Sequence, residues 1–170
     1  MSSLEIKIKS TAKLSPHPKN ARLHDEVNLQ TIMTSLEEFG QRTPIVVWKK
    51  GLVIKGCGTL EAMKRLGWKK CEVVSASHLS EEKALQYSII DNQAGDLSEF
   101  DEARLHDILS DIVTDGNLED VSRKVGFAPS TVTALMEYTD DEEEAPDDFD
   151  SYDEDIDTSH ECPKCGYEWS

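Results

Sequence analysis

The sequence predicts an α/β domain of modest size, followed by a helical extension and two short C-terminal segments. Short β-branched and aromatic runs alternate with segments whose apolar residues recur at helical spacing, and the composition turns strongly acidic near residue 139. A chain of 170 residues, 38% of them hydrophobic, can bury one compact core with small appendages. We therefore expect four parts, at residues 4–95, 99–138, 139–158 and 159–170.

The first part is expected to alternate short strands with helices. An apolar run at 45–48 is turned by Lys49-Lys50-Gly51 and returns at 52–55, which predicts a β-hairpin. Ser80 precedes the last helix of this part, where its hydroxyl can accept a bond from a backbone amide of the first turn. The full expectation is strands at 7–9, 45–48, 52–55 and 71–75, and helices at 28–39, 58–66 and 80–94.

The second part, residues 99–138, is expected to be helical throughout. Apolar residues between 103 and 113 keep to one helical face, and Asp115-Gly116-Asn117 then breaks the pattern. Beyond the break, Val121, Gly126 and Val132 fall at the spacing of a helix-turn-helix motif. Its second helix contains no Lys or Arg, so the motif either reads DNA weakly or is a pair of packing helices.

A glycine-rich turn, Gly56-Cys57-Gly58-Thr59, joins the second hairpin strand to the helix predicted at 58–66. The first amides of a helix have no partner within the helix, and the helix dipole is positive at that end. Such a turn suits a phosphate group or a thiolate. It is the most informative feature of the chain.

The order of the elements around this turn resembles the ParB/sulfiredoxin superfamily. The loop at 14–26 is similar to the opening motif of that family, with Asn20 and Arg22 in the expected places. Downstream, Asp91-Asn92 and then Phe100-Asp101 are similar to the branch of the family that is common in phages and in proteins linked to DNA modification. The resemblance covers about residues 4–108 and implies a small mixed sheet with flanking helices.

The resemblance also implies a nucleotide site at the turn, holding a nucleoside triphosphate with Mg²⁺. ParB proteins carry Gly-Glu-Arg-Arg there, the phage branch Gly-His-x-Arg and sulfiredoxins Gly-Cys-His-Arg, whereas this chain has Thr59 at the position of the last arginine. A backbone cradle survives that change, but a bidentate guanidinium contact does not. The residues implied in phosphate binding are Asn20, Arg22, Lys55, Gly56, Cys57, Gly58, Thr59 and Lys64.

An enzyme of the same superfamily is the first alternative, with phosphotransferase, nuclease or sulfiredoxin-like thiol chemistry. Cys57 aligns with the sulfiredoxin nucleophile, and a helix N-terminus is expected to lower its pKa. The neighbouring His and Arg of that motif are missing, so a small residue without a catalytic role is the other interpretation. Glu61, together with Asp91 and Asn92, is a further candidate for placing a base or a metal near the turn.

Charge is distributed unevenly along the chain. The net charge is −16, yet residues 1–75 carry 13 Lys and Arg against 7 Asp and Glu. Residues 139–158 contain 12 acids and no base, and we expect this stretch to be a solvated linker, since it cannot bury enough apolar surface to fold. The basic residues 1–75 permit an anionic ligand, and the acidic linker is expected to compete for the same surface.

The last part, residues 159–170, contains Cys162-Pro163-Lys164-Cys165-Gly166 followed by aromatic residues, the pattern of a zinc knuckle. Two thiolates leave a tetrahedral Zn²⁺ two ligands short. His160 is a candidate for the third, and a second copy of the chain, an acidic residue or a partner protein can supply the rest. We therefore predict a structural zinc site and a homodimer formed through it.

The function we predict is that of a ParB-like accessory protein of a phage or other mobile element, binding a nucleoside triphosphate or a DNA phosphate at the turn. Its partner is expected to be DNA or a DNA-modifying protein. A second alternative is an interaction module that recruits partners through the acidic linker and the knuckle. A cytoplasmic protein is expected, because the first residues lack a signal-peptide core and no apolar run approaches the ~18 residues of a membrane span.

Overall fold

The computed structural model describes residues 4–114, 116–137 and 160–169. The chain divides into two compact units, residues 1–138 and 139–170. No helix within the described ranges is long and apolar enough to span a membrane. The acidic linker predicted at 139–158 lies outside the described residues.

The first unit is built on a mixed five-stranded sheet with the order β1-β5-β3-β4-β2. β1 pairs antiparallel with β5, β5 parallel with β3, β3 antiparallel with β4, and β4 parallel with β2. The mixed sheet and the hairpin expected from the sequence are thereby confirmed. The strands are β1 Ile6–Ser10, β2 Ser15–Pro16, β3 Ile45–Val47, β4 Leu52–Lys55 and β5 Lys70–Ser75.

Three helices flank this sheet: α1 Glu26–Phe39, α2 Cys57–Arg65 and α3 Glu81–Asp96. The Asp25 carboxylate accepts a bond from the Asn28 amide at 2.7 Å and caps α1. The cap predicted for Ser80 is also confirmed, since its hydroxyl oxygen accepts from the Lys83 amide at 3.3 Å. Each helix therefore begins close to where the sequence pattern places it.

Successive strand residues point to opposite faces of the sheet, which creates two cores. One face packs against α1 and α2, with residues such as Leu36, Leu60 and Met63 in the core. The other face packs against α3, with Val46, Ile54, Val74, Ala76 and Ala84 buried together. Consequently α2 and α3 approach β4 from opposite faces of the sheet.

The helical extension consists of α4 Glu102–Ile112, α5 Leu118–Val125 and α6 Pro129–Met136. Leu109 of α4 and Val132 of α6 are fully buried. Lys124 of α5 pairs with Glu38 of α1 at 3.2 Å, which holds the extension against the first helix of the domain. The helical extension is thus confirmed, and the pair α5–α6 has its predicted glycine turn at Gly126.

Within the second unit the described residues form a short hairpin. β6 His160–Glu161 pairs antiparallel with β7 Glu168–Trp169. The Cys162 amide donates to the Tyr167 carbonyl at 2.7 Å, and the Gly166 amide donates to the Cys162 carbonyl at 2.9 Å. These bonds fold residues 162–167 into the tight turn that carries both cysteines.

Candidate functional site

A pocket of about 190 Å³ opens where β4 ends and α2 begins. Six segments surround it: the loop before α1, the middle of α1, the segment leading into β3, the end of β4, the first turn of α2 and the second half of α3. Its lining residues are Asn20, Arg22, His24, Ile32, Thr43, Pro44, Ile45, Ile54, Lys55, Gly56, Cys57, Gly58, Thr59, Asp91 and Asn92.

The backbone at the start of α2 is open toward this pocket. Gly56 occupies the N-cap position with φ of +85°, a left-handed conformation that glycine adopts without strain. No side chain caps this helix, and the first bond of the helix runs from the Leu60 amide to the Gly56 carbonyl at 2.9 Å. The amides of residues 57–59 therefore precede the hydrogen-bonded turns, as in anion-binding helix starts.

His24 contributes a side chain that the sequence analysis did not select. A Cβ atom at Gly58 would lie 2.8 Å from the His24 ring, so only glycine lets the imidazole pack onto the start of α2. Nδ1 of His24 lies 2.7 Å from Oδ1 of Asn28, one turn into α1. In the sequence, His24 could have been selected as a site residue because it lies two residues after Arg22 in the same loop.

Arg22 and Lys55 supply the positive side chains of the pocket, and each already has a carboxylate partner on α3. The Arg22 guanidinium binds Asp96 with two hydrogen bonds, one of them 2.8 Å from Nη2 to Oδ1. This contact raises the pKa of Arg22 and lowers the pKa of Asp96. The Lys55 ammonium donates to Asp91 at 2.5 Å, and this bond raises the pKa of Lys55.

The structure gathers all but one of the residues implied in phosphate binding around the pocket. The exception is Lys64, whose ammonium donates to the Leu14 carbonyl at 2.9 Å and does not line the pocket. Glu61, the other candidate on α2, is exposed, accepts a bond from Arg65 at 3.3 Å and likewise lies outside the lining. Distance along the helix accounts for both positions, because α2 rises about 1.5 Å per residue and both residues come after its first turn.

Cys57 is a core residue at the pocket wall. Its side chain is 8% exposed, and Sγ lies 3.6 Å from the Val53 carbonyl oxygen. Burial raises the pKa of the thiol. The expectation of a lowered pKa was therefore wrong, because burial disfavours the thiolate form of Cys57.

Asp91 and Asn92 are the oxygen-bearing side chains of α3 at the pocket. Asp91 is bound by Lys55, and the Asn92 amide nitrogen donates to the Ser88 carbonyl at 2.7 Å. Across the described ranges there is no group of three or more His, Cys, Asp or Glu side chains placed to hold a metal ion. Asp91 is the one carboxylate among the described residues that line the pocket.

In the hairpin of the second unit, Cys162 and Cys165 share one tight turn. Hydrogen bonds lower the pKa of Cys162. The bond from the Lys164 amide has the largest effect, and the bonds from the Cys165 thiol and amide add to it. His160 does not complete a group of three with them among the described residues. Strand pairing places it opposite Trp169, and the centroids of these two rings lie 5.8 Å apart.

Comparison with known proteins agrees with this architecture. The ParB-like nuclease domain-containing protein YnaK of Escherichia coli K12 is 30% identical over 80 residues, which cover 47% of this chain and 92% of that protein. The structure is similar, with a TM-score of 0.64 and 19% identity, to the C-terminally truncated chromosome-partitioning protein ParB of Caulobacter crescentus complexed with CTP-γ-S, over 78% of this chain and 77% of that one. The ParB N-terminal domain family matches residues 2–93, more than half of the 170 residues, and the chain therefore belongs to the ParB N-terminal domain family.

Proposed function

We propose that the pocket at the start of α2 binds the phosphates of a nucleoside triphosphate. On this proposal the chain is a ParB-like accessory protein of a phage or other mobile element, associated with DNA or with a DNA-modifying partner. The supporting observation is that the open amides of residues 57–59 share one pocket with Arg22 and Lys55. The complex of the Caulobacter relative with CTP-γ-S suggests the ligand class.

Each group has a distinct part in this binding. The amides of α2 donate to phosphate oxygens along the helix dipole. Arg22 offers a planar fork for two oxygens, whereas Lys55 offers a compact charge with three donors. His24 and Asn20 add donors from the loop before α1. Thr59 offers a hydroxyl where relatives have a guanidinium, which favours binding without phosphate chemistry.

Titration of labelled CTP, ATP and GTP, with and without duplex DNA, tests the proposal. Arg22→Gln should weaken nucleotide binding about tenfold or more, since it removes a charge-assisted bidentate contact. Arg65→Gln is the matched control, because Arg65 pairs with Glu26 and Glu61 and does not line the pocket. Absence of nucleotide binding by the unaltered chain, or equal loss in both variants, would contradict the site.

Gly56→Val is less suitable than Arg22→Gln as a test of nucleotide binding. Gly56 has φ of +85°, and a Cβ atom there would lie 3.3 Å from Cγ1 of the core residue Ile45. A β-branched residue in the left-handed region is strained, so this variant would lose stability together with binding. Arg22→Gln changes a side chain without straining the backbone, and it therefore separates loss of binding from loss of stability.

The enzyme alternatives are tested at Cys57 and Glu61. The buried thiol favours a packing role for Cys57, so Cys57→Ser should leave nucleotide binding unchanged. A thiol enzyme would instead lose turnover in Cys57→Ser at unchanged stability. A base or metal-placing role for Glu61 would require Glu61→Gln to abolish turnover of a nucleotide or cleavage of DNA.

We also propose that Cys162 and Cys165 bind Zn²⁺ together with the same two residues of a second copy. The shared tight turn and the lowered pKa of Cys162 support this role, and four thiolates would complete a tetrahedral site. Metal analysis should find one zinc per two chains, and sedimentation should show dissociation on chelation. Metal-free protein, or a full zinc per monomer, would contradict the shared site.

A further inference from the structure

We infer that this pocket holds its triphosphate without a divalent cation, because the Lys55 ammonium stands where a metal ion would neutralise Asp91. The inference rests on the proposed function and concerns the origin of the positive charge in that site. The family resemblance implies Mg²⁺ beside the nucleotide, and the side chains present do not fit that ion.

A protein holds Mg²⁺ at a nucleotide site through one or two carboxylates, and phosphate oxygens and waters complete a nearly octahedral shell. The lining residues that offer carboxylate or amide oxygens are Asp91 and Asn92 on α3 and Asn20 in the loop before α1. The nearest further carboxylate of α3, Asp96, is engaged by both terminal nitrogens of Arg22. Among the described lining residues, the donor set for a metal is therefore a single carboxylate and two amides.

That single carboxylate already has a cation. Nζ of Lys55 lies 2.5 Å from Oδ1 of Asp91, and the two side chains are only 40% and 24% exposed. Partial burial strengthens their attraction relative to an ion pair in water. A metal ion entering at Asp91 would have to displace the ammonium, which breaks the existing ion pair, or stand next to it, which like charge opposes.

Lys55 retains donors for a ligand while it is bound to Asp91. An ammonium has three N–H groups, of which the contact with Asp91 uses one. The remaining two can meet phosphate oxygens at the start of α2, whose amides line the same pocket. Asp91 then has the opposite role from a metal ligand: it positions Lys55 and reduces the positive charge that the phosphates meet.

The two roles of Asp91 predict opposite signs for one substitution. With Lys55 as the cation, Asp91→Asn removes a negative charge from the pocket and should strengthen CTP binding about three- to tenfold in EDTA. With a metal bridge, the same change removes a metal ligand and should weaken binding in MgCl2. Thermal unfolding of the variant provides the check on folding.

The decisive measurement is the Kd of labelled CTP for the full chain in MgCl2 and in EDTA. We expect the two values to agree within about threefold, and Lys55→Gln to weaken binding about ten- to a hundredfold in both buffers. Lys69→Gln makes the same charge change at an exposed lysine outside the pocket lining and should have little effect.

Binding in MgCl2 alone, or weaker binding by Asp91→Asn, overturns the inference and leaves the proposed function standing. No binding in either buffer overturns the proposed function and the inference with it.

Discussion

The starts of α2 and α6 are two helix N-termini of the same kind in very different surroundings. Neither has a side-chain cap, since Gly56 precedes α2 and Ala128 precedes α6. Around the start of α2, Arg22 and Lys55 reach a pocket from a loop and a strand. α6 contains no Lys or Arg, and Pro129 removes one amide from its first turn.

On the proposed function, a helix start becomes an anion site only when other elements bring cations to it. The basic residues of the helix before α6 are engaged elsewhere. Arg123 pairs with Asp120 at 2.7 Å, and Lys124 pairs with both Asp120 and Glu38. In the extension, positive charge is therefore used to hold α5 in place, whereas around α2 it lines a pocket.

The largest effect is expected from one matched pair of substitutions at the third residue of each helix. Thr59→Arg places a guanidinium beside the amides of α2 and should strengthen nucleotide binding about tenfold or more. Thr131→Arg adds the same charge on the exposed side of α6 and should leave nucleotide binding unchanged. It should raise duplex DNA affinity only about threefold at low salt, since it adds one phosphate contact. Equal gains in nucleotide affinity from both variants would show that net charge, not the site, controls binding.

The contact between the extension and α1 can be tested at Gly126. Gly126 has φ of +82°, and a Cβ atom there would lie 2.8 Å from Cγ2 of Thr31. Gly126→Ala should therefore cost about 1–3 kcal/mol of unfolding free energy beyond the left-handed strain. Gly67→Ala, with φ of +75° and no atom within 4 Å, measures that strain alone.

Urea unfolding provides both free energies of unfolding. Adding Thr31→Ser to Gly126→Ala removes the colliding methyl group and should recover part of the difference, as a double-mutant cycle would show. If Gly126→Ala and Gly67→Ala are equally costly, α5 does not depend on close packing against α1.

A smaller effect is expected from the acidic linker at 139–158. Removing its 12 acids should raise the affinity of the chain for duplex DNA a few-fold at low salt, with the gain fading as screening increases. A variant of equal length with Asn and Gln in place of these acids separates charge from length. The same affinity in all three chains at every salt concentration would make the stretch a spacer.

The smallest effect is expected from the carboxylates of the two regions at acid pH. Arg22 lowers the pKa of Asp96, and Lys124 and Arg123 lower the pKa of Asp120. A lowered pKa in the folded state adds stability above the unfolded value, about 4, which is lost as pH falls through the folded value. Asp96→Asn and Asp120→Asn should each flatten the loss of stability below about pH 4 slightly, because both sites are exposed.

Nucleotide binding distinguishes those two variants. Asp96→Asn releases the guanidinium of Arg22 at the pocket and should strengthen CTP binding, whereas Asp120→Asn frees cations of α5 that do not line the pocket. Titration at neutral pH measures both. Equal binding by the two variants would place Arg22 outside the binding site.

Local pattern was sufficient for most of the fold. The hairpin at 45–55, the cap at Ser80 and the glycine turn before α2 each follow from residues close together in sequence. β2, at Ser15–Pro16, was missed because two residues carry no periodicity and it exists only through its pairing with β4. The segment at 56–59 was likewise located correctly, since a glycine turn between strand and helix is a local signal.

The sequence by itself determined most of the elements, the family resemblance and the position of the glycine turn, because periodicity and turn chemistry act over a few residues. Only the tertiary structure decided which basic side chains line the pocket and which partners they already have. Arg22 meets Asp96 across 74 positions, and Lys55 meets Asp91 across 36. The fold also turns Lys64 to the Leu14 carbonyl. Such pairings depend on how β4, α2 and α3 come together around the sheet, and no local spacing records that arrangement.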